Sequence, residues 1–155
     1  KDAHTKMLSV ERKFHNFLSA AKSLVDHSRV LMKKYSDSEP FSDFEERRNK
    51  IGRPPIVKLC HDLRNYFLYQ KTPIDNYVSH QTWFEKENII ISRDYVRISK
   101  KSLNSYSNWS KESQRLIALL ENQLDILELA EEYFEEISEF NNWINSRFLA
   151  FLEKT

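Results

Sequence analysis

A chain of 155 residues has the size of one domain, and a composition 40% hydrophobic and 13% aromatic supplies a core, which excludes a disordered tail. One Gly and four Pro against 30% charged residues exclude a fold built on tight turns and point to long helices. The net charge of +1 excludes a uniformly basic or acidic protein, but residues 1–71 hold 15 Lys and Arg against 9 Asp and Glu, while residues 72–155 hold 9 against 14. That imbalance fits either a basic face for an anionic partner or complementary faces meeting within a bundle or across a dimer.

The first element is a helix of about eight turns. Met7, Val10, Phe14, Phe17, Ala21, Leu24, Ser28, Leu31 and Tyr35 step by threes and fours, with Leu18, Val25 and Met32 widening the stripe. It ends before Pro40, because proline disfavours helical geometry in its predecessor. A short helix follows over 42–50, with Phe41 and Phe44 facing in and Arg47, Arg48 and Lys50 facing out. Gly52, Arg53, Pro54 and Pro55 then break the chain and start a third helix, which runs to about Gln70 and stops before Thr72 and Pro73.

Residues 76–84 and 89–98 have the β-branched and aromatic content of a hairpin, joined by Glu85, Lys86, Glu87 and Asn88. A connector with a turn around Leu103 leads to Ser110, which starts another helix through Leu120. The last long helix is capped near Asp125 and buries Leu127, Ala130, Phe134, Ile137, Asn141, Ile144, Phe148 and Phe151, beside Tyr133 and Phe140. Asn141 in that seam would fix register. The run of glutamates from Glu128 to Glu139 lies on its outer faces and reads as a solvated surface.

Two long amphipathic helices of matched length bury their stripes most simply against each other in antiparallel order. The expected class is therefore all-α: an antiparallel helical bundle forming a single domain over 1–155, with a small β-hairpin insertion around residues 76–98. Lys1 stands where a Met would open a complete chain, which points to a piece of a longer protein. No apolar run approaches the roughly 18 residues needed to span a bilayer, so a reducing cytoplasm without membrane contact is the expected setting. Cys60 is the single cysteine and has no Cys or His at ligand spacing, so no metal is expected. A lone glycine builds neither a phosphate-cradling loop nor a dinucleotide fingerprint, and no cofactor is implied.

Chemistry concentrates on the third helix. At 100° per residue, Ile56, Leu59, Cys60, Leu63, Phe67 and Gln70 face the core. Arg64 lies on the edge of that side, with His61 one turn before it, Asn65 further out, and Tyr69 about 140° away. Asp26 and His27 near the end of the first helix would support Arg64 if the two helices pack side by side.

The stretch L-R-N-Y-F-L-Y-Q-K-T-P from Leu63 resembles the motif helix of the HEPN superfamily, and Asn16 to His27 resembles the corresponding first helix. The resemblance implies an all-α bundle that dimerises with motif helices facing each other, and in many members a metal-independent ribonuclease of toxin or phage-defence systems. Others serve as inactive binding modules. The family's arginine falls on Arg64, but its histidine falls on Tyr69. Metal-free RNA cleavage needs a proton acceptor, and a phenol of pKa about 10 is poorly poised for that at neutral pH, where imidazole at about 6.5 is well poised. The candidate catalytic set is accordingly Arg64, His61 and Tyr69, and the candidate binding set is Asn65, Arg47, Arg48, Arg53 and Lys58. Three functions follow: an altered, non-catalytic RNA-binding or dimerising module of a bacterial toxin or defence-type protein; a metal-independent ribonuclease; or a structural interaction domain. The expected partners are RNA, a second copy of the chain, or another protein.

Overall fold

The computed structural model describes residues 3–35, 43–51, 55–70 and 73–153. In chain order these residues form α1 (Ala3–Tyr35), α2 (Phe44–Ile51), α3 (Pro55–Tyr69), β1 (Asn76–Phe84), β2 (Ile89–Ser99), α4 (Lys100–Asn104), α5 (Lys111–Leu119), β3 (Gln123–Asp125) and α6 (Ile126–Leu152). Helix dominates, but the expected all-α class is wrong. The three strands form one antiparallel sheet in the order β1-β2-β3, so the protein is a mixed helical and β structure.

The hairpin itself lies where its residue types place it, with Asn76 opposite Arg97 and Phe84 opposite Ile89. Asn88 closes the turn at φ 49, a left-handed conformation that asparagine tolerates better than most residues. The element missing from the sequence reading is β3, which pairs Leu124 with Ile98 and Asp125 with Arg97. That pairing makes the root of the hairpin part of the core rather than an insertion on a bundle. Asp125 then does two jobs, because its Oδ1 accepts from the backbone N–H groups of Leu127 and Glu128 to cap α6 while its Oδ2 accepts from Arg97 Nε at 3.3 Å.

The helix pairing also departs from expectation. Phe17 meets Tyr133 at 5.9 Å between ring centroids, and Tyr35 meets Phe151 at 5.5 Å. Contacts advance together along both helices, so α1 and α6 run parallel. Parallel neighbours need a long return connection, and residues 43–125 provide one. Within it α3 runs antiparallel to α1, since Phe67 packs on Phe14 at 5.3 Å while Arg64 reaches Ser19.

The buried seams differ in detail from the sequence stripes. On α1 the buried residues are Phe14, Leu18, Ala21, Ser28 and Met32, whereas Leu24 and Leu31 are exposed. On α6 they are Ile126, Leu129, Tyr133, Ile137, Phe140 and Ile144, leaving Leu127 and Phe134 exposed and Asn141 beside the seam. Helix α3 is the central rod, touching α1, α5 and α6. It therefore buries Val57 and Tyr66 as well as Leu59, Cys60, Leu63 and Phe67. Tyr66 is held between Trp109 and Tyr106 at 5.4 and 5.5 Å and donates its hydroxyl to the Pro73 carbonyl. A smaller cluster of Met32, Phe44, Phe140 and Ile144 joins α2 to the far halves of α1 and α6.

Candidate functional site

The antiparallel packing of α3 on α1 decides what surrounds His61 and Arg64. Arg64 is half-buried between the two helices, and its Nε donates to Ser19 Oγ at 3.3 Å. The two terminal nitrogens of its guanidinium have no partner among the described residues. One turn earlier, His61 is half-buried and faces the stretch of α1 that carries Lys22, Asp26 and Arg29. Its ring stands edge to face with Tyr133 of α6 at 6.4 Å.

Burial pushes the His61 imidazole below its ordinary pKa, and the charges of Lys22, Lys58 and Arg29 push it further, opposed by Asp26. The imidazole is thus neutral at pH 7, and its Nε2 is buried without a hydrogen-bond partner among the described residues. The Tyr133 hydroxyl is in the same condition, and burial raises its pKa. Two buried polar atoms without partners among the described residues, on side chains whose rings are in contact, are unusual.

Asp26 does not hold Arg64. Its carboxylate pairs with Lys22 Nζ at 2.6 Å and with Arg29 Nη1 at 3.5 Å, and the Lys22 hydrogen bond holds it below the usual carboxylate range. His27 is exposed. Asp62, which lies between His61 and Arg64 in the sequence, turns to α5, where its Oδ2 accepts from Ser110 N–H at 2.9 Å and Ser113 Oγ at 2.7 Å.

The remaining candidates are scattered. Tyr69 is 74% exposed at the end of α3, and Asn65 and Lys58 are exposed on the same helix. Arg47 lies on α2, where it bridges to Glu139 of α6 at 2.5 Å. The Arg48 side chain and Arg53 lie outside the described residues. Arg64, His61 and Tyr69 therefore do not converge within one chain, and the binding set is split between two elements. No family model, curated protein or solved structure matches this chain.

What the fold does gather is a polar strip along the α1–α3 groove comprising Ser19, Lys22, Asp26, Arg29, Lys58, His61 and Arg64. Lys22 and Arg29 were not picked out from the sequence, although a signal existed. They lie four before and three after Asp26, on the same face of α1. Four cations against one carboxylate leave this strip with a net positive charge and an open guanidinium fork. Among the described residues no group of three His, Cys, Asp or Glu side chains is placed to hold a metal, and no helix is long and apolar enough to cross a membrane.

Proposed function

We propose that the chain is a non-catalytic RNA-binding module that grips the phosphate backbone through the α1–α3 strip. The observation that carries this reading is the state of Arg64. Its Nε is anchored on Ser19, which orients the guanidinium, while the two terminal nitrogens, without a partner among the described residues, suit the bidentate contact that phosphate favours. Lys22, Arg29 and Lys58 add charge around it, and the resemblance of Leu63–Tyr66 to the HEPN motif supports RNA as the polyanion. The ribonuclease reading is weaker because His61 has its Nε2 buried and Tyr69 faces away.

Fluorescence anisotropy with a single-stranded RNA oligomer tests the proposal. Three to four phosphate contacts predict a log–log salt dependence with a slope of about −2 to −3. Lys58→Glu together with Arg64→Ala should weaken binding by about 10-fold or more while the RNA stays intact. No retention at low salt, or retention indifferent to both substitutions, would overturn the reading. RNA cleavage lost on His61→Ala would overturn its non-catalytic part.

A second reading, association with another copy or another protein, is favoured by exposed apolar surface that RNA binding does not use. Leu68 and Tyr69 stand exposed at the end of α3, and a larger patch lies on the hairpin.

A further inference from the structure

Every residue from Ser79 to Asp94 is exposed, so the outer part of the β1–β2 hairpin leaves the body as a two-stranded arm. Six residues per strand give it a reach of about 20 Å. An isolated two-stranded ribbon is marginal in water, and this one carries its apolar residues at the far end. Trp83 is 60% and Ile90 65% exposed, and Phe84, Ile89 and Ile91 are about half exposed.

The register assigns these residues to both faces of the ribbon. Trp83 lies opposite Ile90 on one face, while Phe84 opposite Ile89 and Thr82 opposite Ile91 occupy the other. Together the five side chains present on the order of 500 Å², near the upper end of the largest apolar patch on a typical monomer. A flat partner covers one face of such a tip. A groove covers both.

The body has a groove of that kind. Ile56 and Leu59 of α3, Leu116 and Leu119 of α5, and Leu124 and Leu129 beside them enclose about 410 Å³ of mainly apolar space. Leu119 is 81% exposed at its lip. An apolar cavity of about 150 Å³ holds a benzene molecule, so this volume takes two or three bulky side chains. Its position matters as much as its size. Leu124 pairs with Ile98 at the root of the arm, and a neighbouring depression sharing Leu120, Leu124 and Leu129 is bordered by Arg97, Glu128 and Glu132. The groove therefore lies at the base of its own arm, where the tip of that arm, paired in register and directed away, does not reach.

We infer that the occupant is a second copy of this chain, with each arm laying its Trp83/Phe84/Ile90 tip into the α3–α5–α6 groove at the root of the other arm. A tip meeting a root is the arrangement that two antiparallel arms adopt about a twofold axis at mid-arm, so both contacts close at once and no open filament results. Arg93, two residues behind Ile91, approaches Glu128 and Glu132 at the groove's edge, which gives the contact matching charge. With two or three tip side chains seated in each groove, roughly 300 Å² from each arm and a matching area of each groove, the apolar part alone buries on the order of 1,200 Å², the lower end of the range for specific interfaces. The inference stands independently of RNA binding.

Sedimentation equilibrium of the full chain tests it. The wild type should be dimeric, and Leu119→Arg in the groove or Trp83→Ser with Ile90→Ser in the arm should each raise the dissociation constant about 100-fold or more with the circular dichroism unchanged. A tagged arm variant should capture an untagged groove variant, because one intact contact survives in the mixed pair, while neither captures itself. Mixing Ile90→Cys with Leu119→Cys under mild oxidant should give a crosslinked dimer. A wild type that stays monomeric at about 100 µM overturns the proposal. So does a dimer indifferent to Leu119→Arg, or a monomer whose Trp83 is needed instead for binding lipid vesicles or RNA.

Discussion

Replacing Asp62 with alanine removes the one carboxylate that ties the central helix α3 to the start of α5. Its Oδ2 accepts from the Ser110 backbone N–H at 2.9 Å and from the hydroxyl of Ser113, a side chain with no exposed surface. Burial pushes the Asp62 carboxyl up, but the hydrogen bonds from Ser110 and Ser113 and the charge of Lys58 outweigh it and hold the group below its ordinary value. A hydrogen bond to a charged acceptor contributes about 1.5–3 kcal/mol. Ser113 keeps a second partner in Ser110 Oγ at 3.1 Å, and Asp62 is half-exposed, so the two bonds together come to about 2 kcal/mol rather than their full sum.

With a urea m-value of about 2 kcal/mol/M, Asp62→Ala should lower the midpoint by about 1 M. Asp62→Asn, which keeps an acceptor oxygen and loses the charge, should fall by about half as much. Because the folded carboxyl titrates below the unfolded one, its contribution is present above about pH 4 and disappears as pH falls through the folded value. The gap between wild type and Asp62→Ala should therefore narrow progressively as pH falls below about 4. A loss below about 0.5 kcal/mol, or a gap that does not narrow as pH is lowered from 7 to the acid limit of folding, would refute the account.

Four further outcomes are expected. Leu63→Ala, at a position with no exposed surface, should cost about 3–4 kcal/mol in urea unfolding, since a central rod packed on several sides collapses poorly around a cavity. Asp125→Ala removes both the α6 cap and the Arg97 partner and should cost about 1–2 kcal/mol by the same measurement. Folded His61 titrates below its unfolded value near 6.5, so stability should decline as pH falls below about 6.5, and His61→Gln should remove that part of the slope in thermal melts across pH 7 to 5. Cys60 is buried with its thiol pKa raised, first by burial and then by Glu132, and should react with a thiol reagent only after denaturant unfolds the chain.

Local signals carried far. Periodicity locates α1, α3 and α6, the serine at 110 marks the start of α5 by accepting from Ser113 N–H, and the hairpin occupies nearly the residues its β-branched content marks. What failed was long-range. Three residues, Gln123–Asp125, are too few for any alternation to register, so β3 was invisible and with it the mixed class of the fold. Parallel or antiparallel order leaves no trace in an amphipathic stripe, because both orders bury the same side chains. The buried face of α6 sits one position from the expected one through its first half, at Leu129 and Tyr133 rather than Ala130 and Phe134. Ile137 and Ile144 belong to either choice and do not discriminate. At the site, Arg64 and His61 were visible as residue types, but which cations face them depends on α1 running past α3, and that is a property of the assembled molecule.

The parallel pairing of the first and last helices bears on how the chain reaches this structure. The seam from Phe17–Tyr133 to Tyr35–Phe151 joins residues more than a hundred positions apart, so none of it can form until α6 has begun to leave the ribosome. Until then α1 carries an apolar side with nothing to cover it, which predicts slow, late consolidation of the two outer rods around a centre formed earlier by α3, α5 and the sheet root.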